Sequence, residues 1–320
     1  MTGNVVERTT LSSYRMVFAM ASQLVIQGLA LPMVKHFGQG NDARGYQITM
    51  GIFSVLAVVF FITTFLATRE RVLPDPKQES NVRRDFADLM GNGPWKAMFA
   101  LTLILFVTLA LRGGVMLYYF KYYVQREDLF SLFNVIGTGA TIVGVLLSKP
   151  IAARIGKRRL FVIGLVGTVL FTAAFVALPA NAIGLIIATE GLRQFAYGFT
   201  IPLLWAMMAD VADYSEWKNR RRATGVIFSA IIFALKAGLG IGGAIGGYVL
   251  AAYGYVPNVP QTERALDGIR YSASIFPAIA FALCALCLYF YRIDKAQELE
   301  MSRDLTERRN AFVTPLPTAP

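Results

Sequence analysis

The chain has 320 residues, 55% of them hydrophobic and only 16% charged, and its mean hydropathy is positive. Soluble domains carry about 25% charged residues, so this composition argues against a water-soluble fold and for a polytopic membrane protein. A net charge of +11 would suit nucleic acid, but the cations fall in short gaps between apolar runs, not in a basic domain, which argues against that partner.

Residues 1–14 are polar and lack the basic head and brief apolar core of a signal peptide. Eight apolar segments follow: 14–36, 45–68, 95–120, 130–150, 159–179, 182–210, 223–253 and 270–291. Each is long enough to cross a bilayer at about 1.5 Å per residue. The expected fold is therefore all-α and integral to the membrane. Pro32, Pro150, Pro202 and Pro277 sit within or at the ends of these spans, where neighbouring helices can re-satisfy the backbone.

The organisation is asymmetric. Two helices (1–68) precede a polar linker (69–94) that holds Pro74 and Pro76, and six helices with short connections follow (95–292). Residues 293–320 are charged and then proline-rich, so an unstructured tail is expected there. Lysine and arginine number 22 on one set of loops and 6 on the other. That bias predicts a multi-pass inner-membrane protein with both termini cytoplasmic.

Three cations remain within the apolar spans: Arg112, Arg193 and Lys236. Lys236 stands among Phe233, Ala234, Leu235, Ala237 and Leu239, about 13 residues from the basic turn Arg220–Arg222. Such a charge is expensive in hydrocarbon and usually faces a protein interior or a water-filled path. Arg193 has Glu190 one turn before it as its expected partner. Asp210, Asp213 and Glu216 recur every three residues and so share one helix face. They are expected to form an inner-gate ion-pair network with Arg154, Arg158 or Arg220–Arg222. Arg112 and Arg193 are expected to shape the outer half of a cavity or its gate.

Several patterns carry no chemistry. Gly238-x-Gly240-x-x-Gly243 fits a dinucleotide fingerprint, yet no strand precedes it. Gly238, Gly242 and Gly246 instead make a small-residue ladder for close helix packing. Cys284 and Cys287 lie one turn apart with no second pair, and His36 is the one histidine. Neither a metal site nor a nucleophile–base pair is evident, so an enzyme is not expected.

The loop Ser148–Arg159, Ser-Lys-Pro-Ile-Ala-Ala-Arg-Ile-Gly-Lys-Arg-Arg, resembles the basic loop that joins the second and third helices of each half of major facilitator superfamily transporters. On that likeness residues 95–291 correspond to a complete C-terminal half, and the first two helices to the last two of an N-terminal half. Glu7–Arg15, the run from Leu111-Arg112-Gly113-Gly114 to Tyr118–Tyr123, Trp205–Lys218, Lys236 and Gly254–Thr262 are similar to the glycoside–pentoside–hexuronide:cation symporters, the melibiose-carrier family. The resemblance implies a sugar or glycoside substrate coupled to Na⁺ or H⁺, with no other cofactor. It matches Lys236 to the family's lysine of the eleventh helix, and Arg15 to a sugar-contacting arginine. Trp205 and Tyr119 are further substrate-site candidates; the competing reading of each is interfacial or apolar packing. A full member has twelve helices, with its cation-binding acids on the first four, so the resemblance implies an N-terminally truncated chain. Two alternatives stand beside the symporter: a carrier of another small polar solute or lipid, and a non-transporting partner of another half-transporter.

Overall fold

The computed structural model describes residues 5–67, 89–220 and 224–313. The regular elements are helices throughout. They are α1 (Val5–Gly38), α2 (Asp42–Ala67), α3 (Gly93–Tyr118), α4 (Phe130–Ile155), α5 (Lys157–Ala174), α6 (Ile183–Gly198), α7 (Thr200–Asn219), α8 (Thr224–Ala252), α9 (Glu263–Ala273), α10 (Ile275–Phe290) and α11 (Lys295–Val313). Among the described residues, seven helical stretches are long and apolar enough to cross a membrane. The sequence predicted eight; α1, the first of those eight, is not among the seven. Two of the seven are helix pairs, Ile183–Asn219 and Glu263–Phe290. Most of the predicted linker lies outside the described residues.

Prolines explain both pairs. A proline has no N–H to give the carbonyl four residues back. Pro202 therefore frees Gly198, where α6 ends, and Pro277 frees Ala273, where α9 ends. Ser274 takes a non-helical backbone at the second break, with φ −127° and ψ −78°. A third irregularity follows α3, where Tyr119–Val124 winds as a π-helix and stops at Gln125, which has a positive φ of 58°. Such wide turns concentrate at functional positions.

The chain divides into two compact units. The first holds residues up to Glu79 together with Asp128–Gly139, and the second holds Ser80–Glu127 and the chain from Ala140 on. The predicted boundary at the linker is therefore crossed by α4, whose first residues belong to unit 1. Within unit 1, α1 and α2 form a hairpin around Gln39 and Gly40, both with positive φ. Gly45 meets the Val34 carbonyl so closely that a Cβ there would overlap it. Thr138 of α4 donates a hydrogen bond to the Gln27 side chain.

Unit 2 is built around α3. Its buried face runs through Trp95, Met98, Leu101 and Leu105 and joins Phe161 and Leu165 of α5, Leu203 and Met207 of α7, Ile227 and Ile231 of α8, and Phe281 of α10. The glycine ladder of α8 seats that helix on α3. A Cβ on Gly238 would stand 2.8 Å from the Leu103 carbonyl oxygen, and one on Gly242 would overlap the Val107 carbonyl. Cys284 is fully buried on α10 and its thiol points at the Leu101 carbonyl, 3.7 Å away.

The tail differs from expectation. Lys295–Val313 is helical where an unstructured segment was predicted. Met301 and Leu305, one turn apart, are buried, and Met301 joins the core of unit 2. Residues 314–320 lie outside the described residues.

Candidate functional site

The buried ions of unit 2 fall into two groups. In the first, Glu190 of α6 takes two arginines. Arg112 Nη2 donates to Glu190 Oε2 at 2.8 Å, and Arg193 Nη2 donates to Glu190 Oε1 at 2.6 Å. Arg193 Nε adds a bond to Oε2 at 3.0 Å. All three side chains are buried. Arg112 Nε donates to the Ala273 carbonyl at 3.0 Å, the acceptor that Pro277 leaves free. Its guanidinium also sits 4.9 Å from the centre of the Phe175 ring. Arg112 and Arg193 thus serve as one structural cluster. Two cations share one carboxylate, and the excess charge is spread over a carbonyl and an aromatic face.

The second group lies at the other end of α5. Lys157 Nζ bonds both carboxylate oxygens of Asp210 at 2.7 Å and pairs with Glu298 Oε1 of α11 at 2.8 Å. This corrects the expected partners of Asp210. Arg158, one of them, gives its guanidinium to the carbonyls of Leu288 and Tyr289. Arg154, a second, is exposed and makes no ion pair among the described residues, and Arg221 and Arg222 lie outside them. Arg220 closes α7 with a positive φ of 55° and also makes none there. Asp213 and Glu216 follow Asp210 on α7, the first exposed and the second half-buried. Lys157 starts α5 and Phe175 follows its last residue, so the two ion groups stand about 27 Å apart along that helix. That separation approaches the hydrocarbon thickness of a bilayer, about 30 Å.

The expected substrate residues are not drawn into one cluster. Lys236 is exposed on α8 and makes no hydrogen bond or ion pair among the described residues. Gly240, Gly243 and Gly247 are exposed too, and nothing lies within 4 Å of where their Cβ atoms would be. At spacings of four, three and four residues they continue the Lys236 stripe. The helix therefore has two glycine faces, one packed on α3 and one open beside a lysine. Trp205 is 37% exposed on α7. Tyr119, expected at the substrate site, is instead fully enclosed. Its ring lies against Tyr123 and Phe175, and its hydroxyl has no hydrogen-bond partner among the described residues. The side chain of Arg15 lies outside the described residues.

The tyrosine-rich run after α3 meets the Gly254–Thr262 loop. The Tyr122 hydroxyl accepts from the Asn258 amide at 3.0 Å, and Lys121 donates to the Asn258 side chain at 3.2 Å. The Tyr118 ring lies tilted by 44° against Tyr255, with ring centres 5.1 Å apart. Two distant stretches that carried the sequence resemblance thus form one cap.

A sequence model described as "MFS/sugar transport protein" matches residues 1–295. The chain belongs to that family. It is 33% identical over 314 residues to the putative glycoside/cation symporter YagG of Escherichia coli strain K12, covering 98% of this chain and 68% of that protein. It is 34% identical over 318 residues to the isoprimeverose transporter of Lactiplantibacillus pentosus, covering 96% of this chain and 65% of that one. The uncharacterized symporter YnaJ of Bacillus subtilis strain 168 is 28% identical over 317 residues, at 98% and 68% coverage. The chain spans about two thirds of the length of these relatives. The family is one of transporters and not of enzymes, and its multi-pass membrane character agrees with the seven apolar helical stretches.

Proposed function

We propose that this chain serves sugar or glycoside:cation symport. The observation that carries the reading is the family match over residues 1–295, joined to relatives described as a glycoside/cation symporter and an isoprimeverose transporter. The open lysine–glycine stripe of α8 supports it. An ammonium group offers three donors to sugar hydroxyls, and a helix face bare of side chains lets a pyranose ring approach the backbone. Trp205 supplies an aromatic face. By family likeness Arg15 is a further sugar-contacting candidate; Tyr119, enclosed against Tyr123 and Phe175, is left out of the proposed site. The coupling ion is Na⁺ or H⁺, and the proposed protein lies in the inner membrane with eight spans, α1 included, and both termini cytoplasmic. Alternating access needs two bundles rocking about a site between them; it is proposed for the whole protein.

Tryptophan fluorescence of the purified chain tests the reading. Glycosides should change the emission saturably, and Trp205→Phe should abolish most of that change. Lys236→Ala should weaken glycoside affinity about tenfold, the loss of one or two hydrogen bonds to a charged donor. A chain that shows no saturable response to any glycoside, or one that Lys236→Ala leaves intact, sinks the assignment.

A further inference from the structure

A cleft of 840 Å³ opens in unit 2 between the α4–α5 turn and the start of α11. Arg154, Lys157, Arg158, Arg159 and Lys295 line it, against Asp210, Asp294 and Glu298. We propose that this cleft binds a phosphate group, held by the first turn of α5, by Arg154 and Arg159, and by the hydroxyl of Tyr291.

Four observations converge on it. Gly156 stands at the cap position just before α5, its φ of +89° turns the chain sharply from α4, and no side chain among the described residues caps the first N–H groups of α5. An uncapped N-terminus attracts anions, yet this sequence places Lys157, Arg158 and Arg159 in that first turn, where cations are disfavoured unless an anion joins them. The acids present are already engaged: Asp210 and Glu298 hold Lys157, and Asp294 accepts from the Gln297 amide at 2.8 Å. Arg154 and Arg159 are exposed and make no ion pair among the described residues. Finally, Tyr291 lines the cleft at 1% exposure with a hydroxyl that has no partner among the described residues. Leaving a buried hydroxyl unpartnered is unfavourable, so the described residues alone leave the site incomplete. Burial raises the Tyr291 pKa above its ordinary value, with Asp210 and Glu298 pushing the same way, so the group stays a donor. Forked guanidinium groups, a phenol donor and helix amides together suit the several oxygens of a phosphate.

That phosphate is carried either by an anionic phospholipid, since basic pockets between membrane helices hold such head groups, or by a soluble anion. Native mass spectrometry of the detergent-purified chain separates the two, with phosphatidylglycerol, phosphatidylcholine and inorganic phosphate added in turn. Retention of phosphatidylglycerol at about tenfold lower concentration than the zwitterionic lipid assigns a head group; adducts with inorganic phosphate alone assign a soluble ligand. In either case the double variant Arg154→Gln/Arg159→Gln should weaken binding about tenfold or more. Tyr291→Phe keeps the ring and should weaken it several-fold without lowering the melting temperature. Lys96→Gln, outside the cleft, should change nothing. The proposal fails if neither phosphate source is preferred over phosphatidylcholine, or if Tyr291→Phe and the double arginine variant bind as the parent does.

Discussion

Glu190 holds two arginines at once, and its removal would leave two cations in an apolar interior. Breaking a buried ion pair from one side costs about 3–5 kcal/mol. Glu190→Gln keeps the shape but not the charge, and it should lower the melting temperature of the detergent-purified chain accordingly. A melting curve unchanged from the parent would mean that the arginines find water or other acceptors. The Glu190–Arg193 contact was legible because three residues on a helix face one another. The arrival of Arg112 was not, because 78 residues separate it from Glu190. The same limit hid Lys157 as the partner of Asp210. Five cations crowd residues 149–159, and sequence spacing gives no means to choose among them. The orphan hydroxyls of Tyr119 and Tyr291 likewise leave no trace in the sequence.

At the scale of the element, α8 makes the clearest case. Hydropathy located it within a residue, predicting 223–253 for Thr224–Ala252, because lipid demands about 20 apolar residues in a row; most other spans were found with an end off by three residues or more. The ladder Gly238, Gly242, Gly246 was read as a packing face from spacing alone, and the carbonyls of Leu103 and Val107 lie against it. The open face calls for the opposite response to the same change. Gly242→Ala forces a methyl group into the Val107 carbonyl and should destabilise by about 1–3 kcal/mol. Gly240→Ala meets nothing within 4 Å and should stabilise by about 0.5–1 kcal/mol through helix propensity. Parallel thermal melts decide the matter; equal effects at the two positions would contradict the two-faced helix. The tail helix α11 was missed for a physical reason. Its buried residues, Met301 and Leu305, are two apolar side chains among many charges, too few to show a period, and tertiary contact fixes the helix.

For the whole molecule, the loop charges predict which end faces the cytoplasm. Cysteines introduced at Ser80 and Ala180 in a chain lacking Cys284 and Cys287 should react with an impermeant maleimide from opposite sides. Labelling of both from outside the cell would reverse the orientation or break the alternation of spans. The two ion groups, about 27 Å apart along α5, fit that arrangement: one near each surface.

The Lys157 cluster also has an order in time. Asp210 follows Lys157 by 53 residues, whereas Glu298 follows it by about 140. At a synthesis rate of roughly 5–20 residues per second, the second acid leaves the ribosome roughly 4–18 s after the first. During that interval the α5 turn has one counter-ion, and Trp217 still waits for Asp304. Helix α11, made after the other described helices of unit 2, therefore acts as a closing stitch drawn across them. A chain stalled before Lys295 would display a basic, half-neutralised turn, a surface by which a quality-control protease could tell an unfinished protein from a finished one.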